Sequence, residues 1–317
     1  MIERPDVDAL MAGELGQWLA QQGDARAAAK AKMKKIQRYA IIAACAVAVI
    51  YVLLKPSDPF GGLQFGFFAG LAGFGWAAMS SAPMVSRIKG GINGAIAKAL
   101  QIEYSAQVTP GKAFERAKSF DLLPGYDNSS FEDLWWGTLG TQPFTLHEAR
   151  LTEERGSGKN RRTVVVFNGS IMTIGFTRPF QGTTLIDRQS RHTGFFGGEK
   201  DSINLNGIEL ARVSMVDPRF EDAFTIWSND GVEARYLVHP DYAERLTAVE
   251  QAYAGKNIRA LFHEGDLLLV LESGNMFESG SLDAESDRAL LARTIDQFTS
   301  LAELATKLNE RERAGFN

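Results

Sequence analysis

The amino-acid sequence predicts an α+β protein, with an N-terminal two-helix transmembrane hairpin followed by a cytoplasmic domain of antiparallel sheet and flanking helices. Three observations carry this. Phe60–Met84 runs for twenty-five residues without a charged side chain, more than the ~20 residues that cross a hydrocarbon core of ~30 Å. A second apolar run, Tyr39–Leu54, lies just ahead of it, with only Lys55-Pro-Ser-Asp-Pro59 between them, so two spans must run down and back. From Pro143 onward, helical spacing gives way to alternation punctuated by turn dipeptides, the pattern of strands joined by hairpins. The expected organisation is a cytoplasmic amphipathic segment (1–38), the hairpin (39–84) and a cytoplasmic α+β domain (85–317).

The hairpin is argued from its flanks. Tyr39–Leu54 is short for a span, and Arg38 and Lys55 at its ends can snorkel to the interface. Small residues recur every fourth position, Ala40, Ala44 and Ala48 in the first run and Gly62, Gly66 and Gly70 in the second. That spacing lets two backbones approach in lipid, where hydrophobicity gives no drive to associate. Lys30, Lys32, Lys34, Lys35 and Arg38 precede the first run, Arg87, Lys89 and Lys98 follow the second, and the loop between has only Lys55. The positive-inside rule then places both termini of this multi-pass hairpin in the cytoplasm. The bilayer is thus the first expected partner. Residues 1–38 read as an amphipathic helix with an apolar patch of Leu10, Leu15, Trp18 and Leu19.

A net charge of −4 and pI near 5.7 argue against nucleic acid as a partner. The lone Cys45 lies inside the first apolar run, so no disulfide framework forms within the chain.

Beyond the hairpin, Val85, Ile88, Ile92, Ile96 and Leu100 recur at helical spacing and predict a helix over 85–104. Thr109-Pro110 reads as the start of a short helix, and the pair Trp135-Trp136 as core or interface filling. Phe144–Leu151, Thr163–Phe167, Ser170–Phe176 and Thr183–Ile186 read as strands, with Asn168-Gly169 as a turn or, nearly as well, a bulge. Arg155-Gly-Ser-Gly-Lys159 lacks the glycine and the Ser/Thr of a phosphate loop and reads as a hairpin turn. Residues 187–206 are expected as a polar loop that carries Phe195-Phe196, a candidate contact site. Phe224–Trp227 and Val232–Val238 around Asp230-Gly231 predict a hairpin. His239-Pro240 opens a helix to Gly255, Ile258–Phe262 and Leu267–Leu271 form another hairpin, and Ser281 begins the final helix.

The segments PFTLHEARL (143–151), FNGSIMTIGFTRPFQGTTLI (167–186), FEDAFTIWSNDGVEARYLVHP (220–240) and IRALFHEGDLLLVLES (258–273) resemble a bacterial membrane protein family known as domain of unknown function 3137. The resemblance implies a membrane-bound protein without an assigned activity, and a LemA-type membrane protein as a partner. It supplies no catalytic residues.

The sequence offers few chemical groupings. Arg235 and Glu233, two residues apart on one strand face, are the candidate ligand or partner contact, because the guanidinium fork suits carboxylate or phosphate. His239, His263, Asp241 and Asp266 are the best available catalytic set, yet no spacing typical of a metal, nucleophile or cofactor site links them. No cofactor is expected. The reading is a non-enzymatic protein-interaction or assembly module at the membrane, with self-association or a membrane protein as partner. The alternative is a pleckstrin-like lipid- or small-ligand-binding domain; a hydrolase fits less well.

Overall fold

The computed structural model describes residues 4–176, 180–189, 191–192, 200–215, 221–238, 240–252 and 255–310. It contains two compact units. One is built on Asp6–Ala95 with Glu278–Ala292, the other on Ile96–Phe277 with the residues from Arg293.

The helical unit begins with α1 (Val7–Ala12) and α2 (Glu14–Gln21), followed by α3 (Gly23–Leu54) and most of α4 (Pro59–Leu100). The expected helix over 1–38 is therefore three pieces, broken at Gly13 and Gln22. Leu15 and Leu19 are buried, and Trp18 packs so closely on Gly91 that a Cβ there would come within 2.3 Å of the ring. α3 and α4 are both long and apolar enough to cross a membrane. The helix expected over 85–104 is the continuation of α4 through Pro83, and it ends at Leu100, where Gln101 takes φ +56°.

Glu278–Ala292 is tied to both long helices. Lys89 Nζ meets Glu278 Oε1 at 2.6 Å, and Ser279 Oγ donates to Asn93 Oδ1 at 2.6 Å. Gly280 passes where a Cβ would lie 2.3 Å from the Val85 carbonyl oxygen, so the backbone approach requires glycine. Arg26 Nη1 donates to Asp287 Oδ2 at 2.7 Å, with both side chains 3% exposed. Asp287 opens α8 (Asp287–Glu310), six residues later than the expected start at Ser281.

The other unit is one sheet of ten strands, β1 (Glu103–Gln107), β2 (Asn128–Leu139), β3 (Gln142–Arg155), β4 (Arg162–Gly175), β5 (Thr184–Arg188), β6 (Ser202–Leu205), β7 (Ile208–Val213), β8 (Phe224–Ser228), β9 (Lys256–His263) and β10 (Asp266–Glu272). Their spatial order is β1-β2-β3-β4-β10-β9-β5-β8-β7-β6, and every pair is antiparallel. Among the described residues the unit's helices are α5 (Lys112–Ser119), α6 (Gly231–Leu237), α7 (Pro240–Ala252) and the later part of α8. The fold class read from the sequence holds: α+β, an antiparallel sheet, and two apolar N-terminal helices.

α5 lays Phe114 and Ala117 on one face of the sheet, over Leu151, Phe167, Ile171, Leu268 and Val270. On the opposite face Trp135 stacks on Tyr104, Phe277 and Phe298, with ring centroids 4.7, 5.2 and 5.3 Å away. A β-bulge sets this phase: Glu132 pairs with Glu148 but Trp135 with Leu146, so two residues of β2 face one of β3, with Asp133 at φ +56°. Trp136, on the other side of the pleat, stays 36% exposed.

Several local expectations are corrected. Asn168-Gly169 is not a turn but lies inside a continuous β4; a Cβ on Gly169 would sit 2.0 Å from the Leu271 carbonyl oxygen, so glycine serves backbone approach here. The expected strand Val232–Val238 is instead helix through Leu237, because the Asp230 carboxylate accepts from the Val232 and Glu233 amides and caps α6. The short helix after Pro110 is capped at Gly111. Residues 187–206 hold the end of β5 and all of β6, and Asn206 and Gly207, both at positive φ, turn β6 into β7.

Candidate functional site

α6 brings the sequence candidates onto one turn of helix with divergent faces. Glu233 points inward and accepts the backbone N–H of Gly182 at 2.7 Å and of Gln181 at 3.2 Å. A Cβ on Gly182 would meet Glu233 Oε2 at 2.5 Å. Asn229 Oδ1 accepts from the Thr183 amide at 2.7 Å, and Ser228 Oγ donates to the Thr183 carbonyl at 3.1 Å. Glu233 is thus a clamp on the strand that leads into β5. Arg235 points outward, donating Nε to the Ser214 carbonyl and Nη1 to that of Gly231. Beside it, Val232 and Tyr236, one turn apart, are 79% and 58% exposed. An exposed aliphatic, an exposed tyrosine and a fixed arginine make the kind of patch that protein interfaces favour.

His263 and Asp266 of the catalytic set face each other across the β9–β10 hairpin. His263 Nδ1 lies 2.9 Å from Thr183 Oγ1, its ring is 4.8 Å from that of Phe120, and Arg116 reaches Glu264 at 3.0 Å and Asp266 at 3.2 Å. Burial, the largest cause, pushes the His263 pKa down; Glu264 opposes it, and Arg116 adds a smaller push in the same downward direction. A neutral ring at a hydroxyl has the outline of a base and its nucleophile. Thr183 is only 3% exposed and has its amide and carbonyl engaged, so the pair holds the strand end in place rather than meeting a substrate. His239 lies outside the described residues, and Asp241 is on α7.

A grouping the sequence reading missed sits at the end of β5. Asp187, 1% exposed, takes the Arg188 amide on Oδ1, while Oδ2 lies 3.2 Å from His192 Nε2 and 3.5 Å from Arg191 Nε. The His192 ring stands edge-on to Trp227 at 5.6 Å. The D-x-x-x-R-H spacing was the available signal. This cluster anchors the start of the segment toward Phe195 and Phe196, which themselves lie outside the described residues. The Arg155–Lys159 turn borders a depression of about 520 Å³ lined by Asp127, Glu154 and Arg161. Two carboxylates to one guanidinium disfavour a phosphate there.

In the helical unit the small-residue rows meet. Cβ atoms at Gly62 and Gly66 would lie 2.9 and 2.8 Å from the Ala48 and Ala44 carbonyl oxygens, and one at Gly70 3.5 Å from Ala44 Cβ. The tightest approach is one the sequence reading did not name, Gly73, where the distance to Ala40 Cβ would be 2.3 Å.

Residues 165–310 match the model of the family described as Protein of unknown function (DUF3137). The match runs from within β4 to the end of α8. Three of the four stretches that carried the resemblance fall within it, and 143–151 falls before it. No curated protein matches the chain. The crystal structure of the mycobacterial trehalose monomycolate transport factor A, TtfA, is similar at 8% identity and a TM-score of 0.36, over 71% of this chain and 96% of that one. At that score the likeness carries no argument.

Two predictions follow from these geometries. His147, on β3 against Phe131 at 6.0 Å, is buried, and burial lowers its pKa to about 4. The unfolded chain binds the proton near pH 6.5 while the folded chain refuses it until about 4, so stability is full above 6.5 and falls as pH drops toward 4. The loss should approach ~3 kcal/mol, read as a falling urea midpoint by tryptophan fluorescence, and His147→Asn should flatten it. For the ridge, Gly66→Ala and Gly73→Ala should each lower the melting temperature in detergent, whereas Gly75→Ala, with nothing within 4 Å of its Cβ, should leave it unchanged.

Proposed function

We propose that this chain is a membrane-anchored protein-interaction module of the bacterial inner membrane. α3 and α4 form a two-span anchor with both termini in the cytoplasm, and the sheet unit offers a docking patch to a protein partner, another membrane protein such as a LemA-type protein or a second copy. The observation that carries this reading is the row of large apolar side chains left bare along α3 and α4. Ile42, Leu53, Leu63, Phe67 and Trp76 are 63, 74, 69, 62 and 72% exposed. Contiguous apolar surface on that scale is unfavourable in water and favourable in lipid. The basic residues before α3's apolar stretch and after that of α4 support the orientation.

The partner side rests on Val232, Arg235 and Tyr236. Val232 and Tyr236 leave apolar surface in water beside the fixed Arg235, and a partner contact would bury it.

Reporter fusions at residue 57 and at the C-terminus should report opposite compartments, the C-terminus cytoplasmic; a periplasmic C-terminus overturns the orientation. A photo-crosslinking residue at position 236 should yield a discrete protein adduct in membranes, and one at Arg155, also exposed, should not. Val232→Ser should abolish the adduct while changing stability by less than ~1 kcal/mol. No adduct, or equal adducts at both sites, would remove α6 as the docking patch.

A further inference from the structure

The long helices carry a charge distribution that goes beyond orientation. Between Ala25 and Ile102 the chain has ten Lys and Arg and one acid, Asp58, which lies in the loop at the far end of the hairpin. The chain as a whole has a net charge of −4. Five of those ten bases, Lys30, Lys32, Lys34, Lys35 and Arg38, fall in the three turns of α3 just before its apolar stretch. Lys32, Lys34, Lys35 and Arg38 are exposed and Lys30 partly so, and among the described residues none of the five is paired with an acid.

Their placement around α3 follows from what α4 covers. Met33 and Ala40 face α4: Met33 Sδ accepts from Ser81 Oγ at 3.6 Å, and Ala40 abuts Gly73. The bases occupy what is left, with Lys30, Lys34 and Arg38 on one ridge at four-residue spacing and Lys32 and Lys35 on the next. At ~1.5 Å per residue, Arg38, Lys35 and Lys34 stand roughly 2, 6 and 8 Å beyond Tyr39, within the ~5–8 Å headgroup layer of a bilayer. Lys32 and Lys30 stand roughly 11 and 14 Å out, where a charge acts only through the screened field, with a Debye length of ~8–10 Å.

We infer that Lys34, Lys35 and Arg38 form a site for anionic phospholipid headgroups, with Lys32 and Lys30 as an outer, weaker field. The inference rests on the reading of α3 and α4 as a membrane anchor and adds the chemistry of the lipid beside it, a glycerophospholipid with net negative charge. Three cations on one helix, none paired with an acid among the described residues, reach headgroup depth together, Lys35 Nζ lying 6.0 Å from the centre of the Tyr39 ring. The arginine can engage it through two donors at once.

The test uses the full chain in a mild neutral detergent, offered equimolar phosphatidylglycerol and phosphatidylcholine and weighed intact by native mass spectrometry. Phosphatidylglycerol should be retained over phosphatidylcholine by about tenfold or more, at roughly fivefold for each cation at the surface. K34Q/K35Q/R38Q should bring the ratio near one, and K30Q/K32Q should reduce it only a few-fold, with circular dichroism checking that each variant is folded. Excess inorganic phosphate should not displace the lipid; if it does, the site takes free phosphate and the inference fails. Equal retention of the two lipids, or an unchanged ratio in the triple variant, also overturns it. Correct reporter topology combined with no lipid preference would refute this site and leave the anchor standing, whereas a wrong topology would refute the anchor itself.

Discussion

The helical unit turns on one ion pair, Arg26 with Asp287. Both groups are out of water, and among the described residues Arg26 Nε and Nη2 and Asp287 Oδ1 have no hydrogen-bond partner. Such a pair contributes little net stability, since desolvation offsets most of the attraction. Its effect is selective. Any arrangement of α3 that moves Arg26 from Asp287 leaves a bare buried charge, so the pair admits one register of the chain returning at 278–287. Lys89–Glu278 and Asn93–Ser279 set the same register on α4. Charge and hydrogen-bond geometry thus do here what knob-and-hole packing does in an apolar bundle.

The sheet unit uses buried polar groups in a similar way, at strand ends rather than along helices. Glu233, Asn229 and Ser228 together satisfy the amides and carbonyl of 181–183, and Asp187 gathers its own turn through Arg188, Arg191 and His192. In both clusters a carboxylate accepts backbone or side-chain donors that would otherwise be stranded at the end of a ladder. These are fixed points from which α6 and the segment after β5 depart, and the exposed Arg235–Tyr236 surface owes its shape to the first of them.

How legible this was from sequence depended on the range of the signal. A charge-free run such as Phe60–Met84 has few competing explanations, and the α+β class, the β9–β10 hairpin and the Gly66–Ala44 approach were all readable. Asp230-Gly231 was misread because an aspartate before glycine serves equally as hairpin turn and as helix cap, and the choice is made by the residues that follow the cap. Asn168-Gly169 was misread because the demand for glycine comes from Leu271, a hundred residues away. The Asp187 cluster was partly visible in its spacing, but the burial of Asp187 and the edge-on contact of His192 with Trp227 were not. Trp135 and Trp136 looked alike in sequence; a single bulge at Asp133 decided which ring became core.

The strand order also constrains the sequence of events in folding. β4 has β3 on one side and β10 on the other, and β10 is separated from β4 by the whole of β5 to β9. As the chain is synthesised, β1 to β4 can pair as soon as they emerge, but the far edge of β4 stays open until Asp266–Glu272 is made. The last hairpin, β9–β10, then inserts between two sheet halves that are already in place. Non-local closure of this kind is slow, and an open edge bearing Ile171, Met172 and Ile174 is a template for wrong pairing. Until Asp266–Glu272 arrives, that edge of β4 is the part of the sheet most open to capture by a neighbouring chain.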